Sequence, residues 1–211
     1  MTKKEKALEI YARLHKAMPH PEVELTFTTP FELLAATILA AQATDKKVNT
    51  LTPALFKKYP TIADMAGATA EDIDSFVNHV LFHKNKSKNI RASAQMIMDK
   101  YGGKVPRTME ELILLPGVAR KTANVVLGSA YGIASGIVID THGIRLSNRL
   151  GLTTEKDPVK IERDLLELIP RDKWIDFGHL LTLHGRHLCT ARPHACDNCP
   201  LGDLCPEYSA K

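Results

Sequence analysis

Apolar residues recur at three- and four-residue intervals from one end of the chain to the other, and no stretch alternates apolar and polar positions as a half-buried strand would. "TPFELLAATILA" is the clearest case. Thr29 takes the N-cap position, Pro30 the first helical position, where its missing N–H is no loss, and Glu32 stands three residues after the cap, where its carboxylate can reach back. Phe31, Leu34, Ala35, Ile38 and Leu39 supply the stripe that this helix buries. Gln42, one helical turn beyond Ile38, marks the point where the stripe gives way to a polar end. Val48, Leu51 and Leu55 mark the next helix, and "TAED" at 69–72 and "TMEE" at 108–111 repeat the capping pattern ahead of two more. Ile90, Ala94, Ile97 and Met98 mark another, ended by Gly102 and Gly103.

The pattern predicts an all-α protein with two helical lobes. Residues 23–133 read as a bundle of about six helices. Three further helices follow Gly136, one starting near Asp140, one over 158–169 and one over 173–188. The N-terminal helix can pack on either lobe.

Composition leaves this picture intact. A chain of 211 residues fits one large or two small domains and buries a core without crosslinks. Its 44% hydrophobic and 25% charged residues are ordinary for a soluble globular protein. A net charge of +4 permits a nucleic-acid partner without demanding one. Local clustering says more: "KNKSKNIR", at 84–91, carries four positive charges and no acid, either as a solvated helix start or as a face that grips phosphates. No apolar run approaches the roughly 18 residues that span a membrane. Glu5 and Glu9 interrupt the basic opening, which is therefore neither a signal nor a transit peptide. A cytoplasmic location is expected.

One corner concentrates chemistry. In "LLPGVARKTANVV", Pro116 fixes φ and Gly117 accepts positive φ, which suits a short turn between two helices. The turn is expected to leave the backbone N–H groups of "GVAR" unpaired at a helix N-terminus, where the dipole also favours an anion such as a DNA phosphate. On a helical wheel Ala119, Ala123, Val126, Leu127 and Ala130 share one apolar stripe, and Lys121 falls opposite, near Asn124 and Gly128. Lys121 is then a solvated charge, a phosphate contact or a nucleophile. As a nucleophile it needs help, because only roughly one free lysine in a thousand or fewer is neutral at pH 7.

Asp140 follows Lys121 by nineteen residues and directly precedes a helix start at Thr141. Aspartate is a favoured N-cap, and a carboxylate fixed there is also ionised and directed, which suits a group that stabilises a cationic sugar and activates an amine. Capping and catalysis are compatible.

All four cysteines lie within seventeen residues, Cys189, Cys196, Cys199 and Cys205, spaced C-x6-C-x2-C-x5-C. In a reducing compartment such crowding points to metal rather than to disulfides. Structural zinc more often uses two close pairs, whereas four thiolates around one compact loop also suit a [4Fe-4S] cluster.

These segments together resemble the endonuclease III family of helix-hairpin-helix DNA glycosylases. "LPGVARKTA" meets the hairpin pattern L-P-G-V-G-x-K-T-A with Ala119 in place of the second glycine. Asp140, Thr141 and His142 match the end of the signature V-D-T-H, and the cysteine spacing and "LHGRHLC" ahead of it also look like that family. "AAQATD" follows S-A-Q-A-T-D with Ala40 for serine, and Leu81, Phe82 and His83 stand where the family commonly has Gly-Leu/Phe-Tyr.

The resemblance implies a base-excision enzyme acting on oxidised pyrimidines or abasic sites in double-stranded DNA, a monomer, bacterial and associated with the nucleoid. Residues 23–133 would carry the hairpin, residues 1–22 with 134–211 would form the [4Fe-4S] cluster lobe, and a DNA-binding cleft would lie between them. Lys121 would attack the sugar C1′ with Asp140 assisting, and the Schiff base would eliminate the 3′ phosphate. Cys189, Cys196, Cys199 and Cys205 would hold the cluster. Gln42 and Phe82 would enter the gap left by a flipped base, with His83 beside them; a glutamine there is otherwise simply solvated, and a phenylalanine otherwise packs in a core. Leu115, Gly117, Val118, Ala119 and Arg120 of the hairpin, His142 and Arg145 after Asp140, and Arg186 and Arg192 around the first cysteine would contact DNA.

Two alternatives bear on this. The related adenine mismatch glycosylase needs a glutamate in the first bundle helix, where Thr37 aligns, and lacks the lysine, so the chain fails both tests. A non-catalytic DNA-binding iron–sulfur protein would not need both Lys121 and Asp140.

Overall fold

Threonine hydroxyls start six helices in the computed structural model, which describes residues 1–191 and 196–209. Thr2, Thr29, Thr44, Thr61, Thr69 and Thr108 each accept a hydrogen bond from the N–H three residues on, satisfying one of the donors a helix start leaves over. Glu32 and Asp72 return the bond to Thr29 and Thr69, closing the capping boxes. Among the described residues there is no strand.

Contacts divide the chain into two compact units, residues 24–133 and residues 1–23 with 134–211. The chain enters the second of these through α1 (Lys3–Ala17) and then builds the first from seven helices. These are α2 (Pro30–Ala40), α3 (Asp45–Lys58), α4 (Ile62–Gly67), α5 (Ala70–Val77), α6 (His83–Tyr101), α7 (Met109–Leu112) and α8 (Arg120–Tyr131). The helix that apolar spacing does not reveal is α4, too short for a period to show.

At the centre of the 24–133 unit lies α2, buried from Leu33 to Leu39 on every side and packed by α3, α6 and α8. A helix apolar all round belongs in a core, and each such side chain contributes about 1.5–3 kcal/mol by leaving water. Its one buried hydroxyl, Thr37, donates to the Leu33 carbonyl at 2.7 Å. Two expected stripe residues sit differently: Leu51 is half-buried and Met98 faces solvent, while Thr52 is buried with its hydroxyl on the Val48 carbonyl. Glycine ends α6, with Gly102 left-handed at φ 59°.

The other unit adds α9 (Thr141–Arg149), α10 (Pro158–Leu168), α11 (Trp174–His187) and the single turn α12 (Pro206–Ser209), after two 3-10 turns at Cys196–Asn198 and Gly202–Leu204. Helix α1 packs on α10 and α11, and α11 on α9. Ile10, Leu14, Leu146, Leu165, Phe177, Leu180 and Leu181 fill the core between them. Cys189 and Cys205 belong to the same core.

Candidate functional site

The hairpin turn is built by backbone bonds and seated on α6. Leu115 N–H donates to Leu112 O and Val118 N–H to Leu115 O, each at 3.1 Å, which closes the corner. Ser93 of α6 donates its hydroxyl to Pro116 O at 2.8 Å. Gly117 has φ 77°, and a Cβ there would lie 2.8 Å from Asn89 Nδ2 and 2.9 Å from Asn89 Cβ. Only glycine meets both demands. One sequence expectation is corrected here: the Val118 amide is consumed by the turn, because closing so tight a corner takes an internal bond.

Leu115 and Val118 are buried and their amides are spent on the turn, whereas Gly117 and Ala119 are exposed and Arg120 is half-buried. Ala119 is the N-cap of α8 and makes no side-chain cap bond, so the positive end of this helix dipole carries no hydroxyl or carboxylate cap of its own. Ile113 and Leu114, just ahead of the turn, are exposed apolar side chains that apolar spacing does not mark.

Lys121 is the second residue of α8 and is exposed. Asn124, which the wheel put on the same outward face, is buried instead; the apolar side of α8 is wider than the sequence stripe, and Val125 is buried too.

Asp140 is the N-cap of α9, and a single oxygen, Oδ1, accepts both cap bonds, from His142 N–H at 2.9 Å and Gly143 N–H at 2.8 Å. Oδ2 takes part in no hydrogen bond among the described residues. The carboxylate is thus oriented by one oxygen and presents the other.

Behind it, α9 and α11 approach closely: a Cβ on Gly185 would lie 2.8 Å from His142 Cβ. Arg145 Nη2 donates to Gly185 O and Cys189 O, both at 2.7 Å, tying the end of α11 to α9. Half-buried His142 lies with Nδ1 3.3 Å from that same nitrogen. Arg186 is half-exposed, and Arg192 lies outside the described residues.

Gln42 and Phe82, both exposed, are the non-glycine residues with left-handed backbone among those described, each at φ 57°. The sequence places Gln42 on the helix, but α2 stops at Ala40 and Gln42 turns away after it. Phe82 is 61% exposed, as is Leu81, so core packing does not account for it. It serves as N-cap of α6 without a side-chain cap bond. His83 Nδ1 sits 2.6 Å from Asp74 Oδ1, which also accepts from the Ser87 hydroxyl.

The basic run divides. Lys86 is buried, and its ammonium donates to Leu39 O at 2.8 Å and Ala41 O at 2.6 Å; burial lowers its pKa from the ordinary lysine value. Arg91 Nε donates to Ala68 O at 2.6 Å. Lys84 and Lys88 remain exposed. Two of the four charges that looked like a phosphate grip therefore act inside the unit, on carbonyls that the local sequence could not point to.

The four cysteines are unpaired as disulfides, Cys189 and Cys205 buried and Cys196 and Cys199 half-buried. Burial pushes the Cys199 thiol up, and a hydrogen bond with the Leu201 backbone opposes it in part. Arg149 Nη1 donates to Cys189 Sγ at 3.0 Å, a positive partner for a thiolate, and His184 Nε2 lies 3.6 Å from Cys199 Sγ. Among the described residues no three His, Cys, Asp or Glu side chains converge closely enough to clamp a metal ion by themselves. In number and softness, four thiols fit an iron–sulfur cluster. A separate cavity of about 430 Å³, lined by Phe31, Phe56, Tyr59, Ile62 and Tyr131 among others, holds none of these residues.

Comparison with known proteins bears on the whole chain. The family model of the HhH-GPD superfamily base excision DNA repair protein matches residues 35–171. Endonuclease III of Synechocystis sp. is 47% identical over 209 residues, 99% of this chain and 95% of its own. Endonuclease III of Escherichia coli K12 is 40% identical over 208 residues, 99% of this chain and 98% of its own. Among solved structures, a trapped endonuclease III–DNA covalent intermediate matches with a TM-score of 0.93 at 38% identity, covering 100% of this chain and 99% of that one. A thermostable thymine-DNA glycosylase, at TM-score 0.83 and 22% identity, shares the fold.

Proposed function

Because the chain belongs to the endonuclease III family of the HhH-GPD superfamily, and is thus a DNA glycosylase and AP lyase of base excision repair, we infer that its substrates are oxidised pyrimidines and abasic sites in duplex DNA. The observation that carries this is Lys121, exposed in the first turn of α8 directly behind the hairpin turn.

The neutral amine of Lys121 attacks C1′, the glycosidic bond breaks, and the base leaves with its bonding electrons and a proton. Opening of the sugar ring gives an imine between Nζ and C1′. Loss of a C2′ proton then expels the 3′ phosphate, and water releases the lysine. Asp140, oriented through Oδ1, uses Oδ2 to stabilise positive charge on the sugar and to take a proton from the amine. The N-terminus of α8, with the amides of Gly117 and Ala119 ahead of it, holds a backbone phosphate. Gln42 and Phe82 fill the space that the flipped base leaves.

We assign a [4Fe-4S] cluster to Cys189, Cys196, Cys199 and Cys205. When bound, it supplies iron–thiolate crosslinks that hold the C-terminal segment, and the bond-making steps belong to the side chains above.

The test is a duplex with one oxidised pyrimidine on a labelled strand. The expected product is a strand nicked 3′ of the lesion and carrying the sugar remnant. Absence of cleavage, both there and on a duplex with a preformed abasic site, would overturn the assignment.

A further inference from the structure

Gln42 and Phe82 share an unusual backbone, and one residue is bonded to both turns. An L side chain at φ 57° is disfavoured by contact of its own Cβ with the backbone, so surroundings must hold it there. Lys86 is four residues beyond Phe82, and its N–H donates to Phe82 O at 3.0 Å. Its ammonium crosses to the end of α2 and donates to Leu39 O and Ala41 O. Ala41 directly precedes Gln42, so the second bond fixes the peptide that leads into the Gln42 turn.

This is an expensive way to end a helix. Glycine at position 42 would take the left-handed conformation unaided. The chain instead has a side chain there and a lysine only 5% exposed to hold it. The ammonium suits its task, since the negative end of the α2 dipole and two carbonyl oxygens meet it. The same face of α6 continues to the hairpin, where Asn89 meets Gly117 and Ser93 holds Pro116 O.

We propose that Lys86 is a positioning residue for base opening, bonded at once to the turns that present Gln42 and Phe82, so that both side chains enter the duplex in one fixed geometry. This rests on the inserting roles assigned above to those two residues. Lys86 meets no substrate. Without its ammonium, Leu39 O and Ala41 O are released and Gln42 leaves its left-handed conformation, while the backbone bond to Phe82 O stays and the Phe82 turn loses its link to the Gln42 turn.

The test compares Lys86→Met with the parent protein on two duplexes, one with a paired oxidised pyrimidine and one with a preformed abasic site, with 2-aminopurine opposite the target to report unstacking. The proposal expects base removal to fall about tenfold or more, cleavage at the abasic site to fall by less than about threefold, and the fluorescence rise to be lost. Equal losses on both duplexes, as from general destabilisation, would overturn it. If Lys86→Met does not fold, Lys86→Gln is compared in the same way, and equal losses there overturn it equally. Gln42→Ala and Phe82→Ala run in parallel separate the two ideas. If they impair base removal and fluorescence while the Lys86 variants do not, the positioning role fails alone; if they impair neither, the inserting roles fail and the proposal with them.

Discussion

Asn89 and Gly117 approach so closely that a Cβ on Gly117 would lie 2.8 Å from Asn89 Nδ2. Gly117→Ala must therefore bear both a left-handed alanine and a clash, and should lose about 2 kcal/mol or more of stability together with most duplex binding. Gly132→Ala provides the control: φ is 65°, with nothing within 4 Å of the added Cβ. It should cost only about 1 kcal/mol, the backbone part alone. Denaturant unfolding of both variants checks the difference.

Asp140 allows capping to be separated from chemistry. Asparagine caps as well as aspartate does, so Asp140→Asn should stay within a few tenths of a kcal/mol of the parent, roughly as cap rankings indicate, yet lose most activity. Asp140→Ala should lose activity and about 1 kcal/mol besides. Melting temperatures measured beside single-turnover rates decide this, and an active Asp140→Asn would show that the carboxylate only caps.

How much of this was legible in the residues depended on the range of the interaction. Thr29, Pro30 and Glu32 announce the start of α2 because capping bonds span only three residues, and Asp140 announces α9 for the same reason. Lys121 is placed by one turn of helix. The end of α2 was hidden, because its cap is Lys86, 45 residues beyond Ala41, and nothing in "KNKSKNIR" distinguishes that lysine from Lys84 or Lys88. Asn124 was misplaced because a wheel cannot tell how many sides of α8 are covered. Phe82 suits core and surface alike by residue type, and only the fold leaves it exposed.

Acid should weaken the fold through His179 of α11, which is 8% exposed; burial pushes its pKa below the ordinary value, with Asp176 and Glu22 opposing in part. The folded state therefore binds fewer protons than the unfolded chain. Stability should be intact above the ordinary histidine value of about 6.5 and decline as pH falls below it, levelling off under the folded pKa. Melting temperatures at pH 7.5 and 5.5 should differ less in His179→Gln than in the parent.

The cysteine assignment predicts a brown protein with broad visible absorption and four irons per chain. Cys199→Ser should lose the colour and unfold at lower temperature. Colourless protein containing stoichiometric zinc would contradict the cluster.

The nucleophilic role of Lys121 is tested most directly by borohydride. Reduction during reaction with a duplex carrying one oxidised pyrimidine should fix the imine as a covalent protein–DNA adduct, and the adduct should disappear in Lys121→Gln. An adduct of equal yield in Lys121→Gln, or none from the parent protein on either an oxidised pyrimidine or an abasic site, would contradict it.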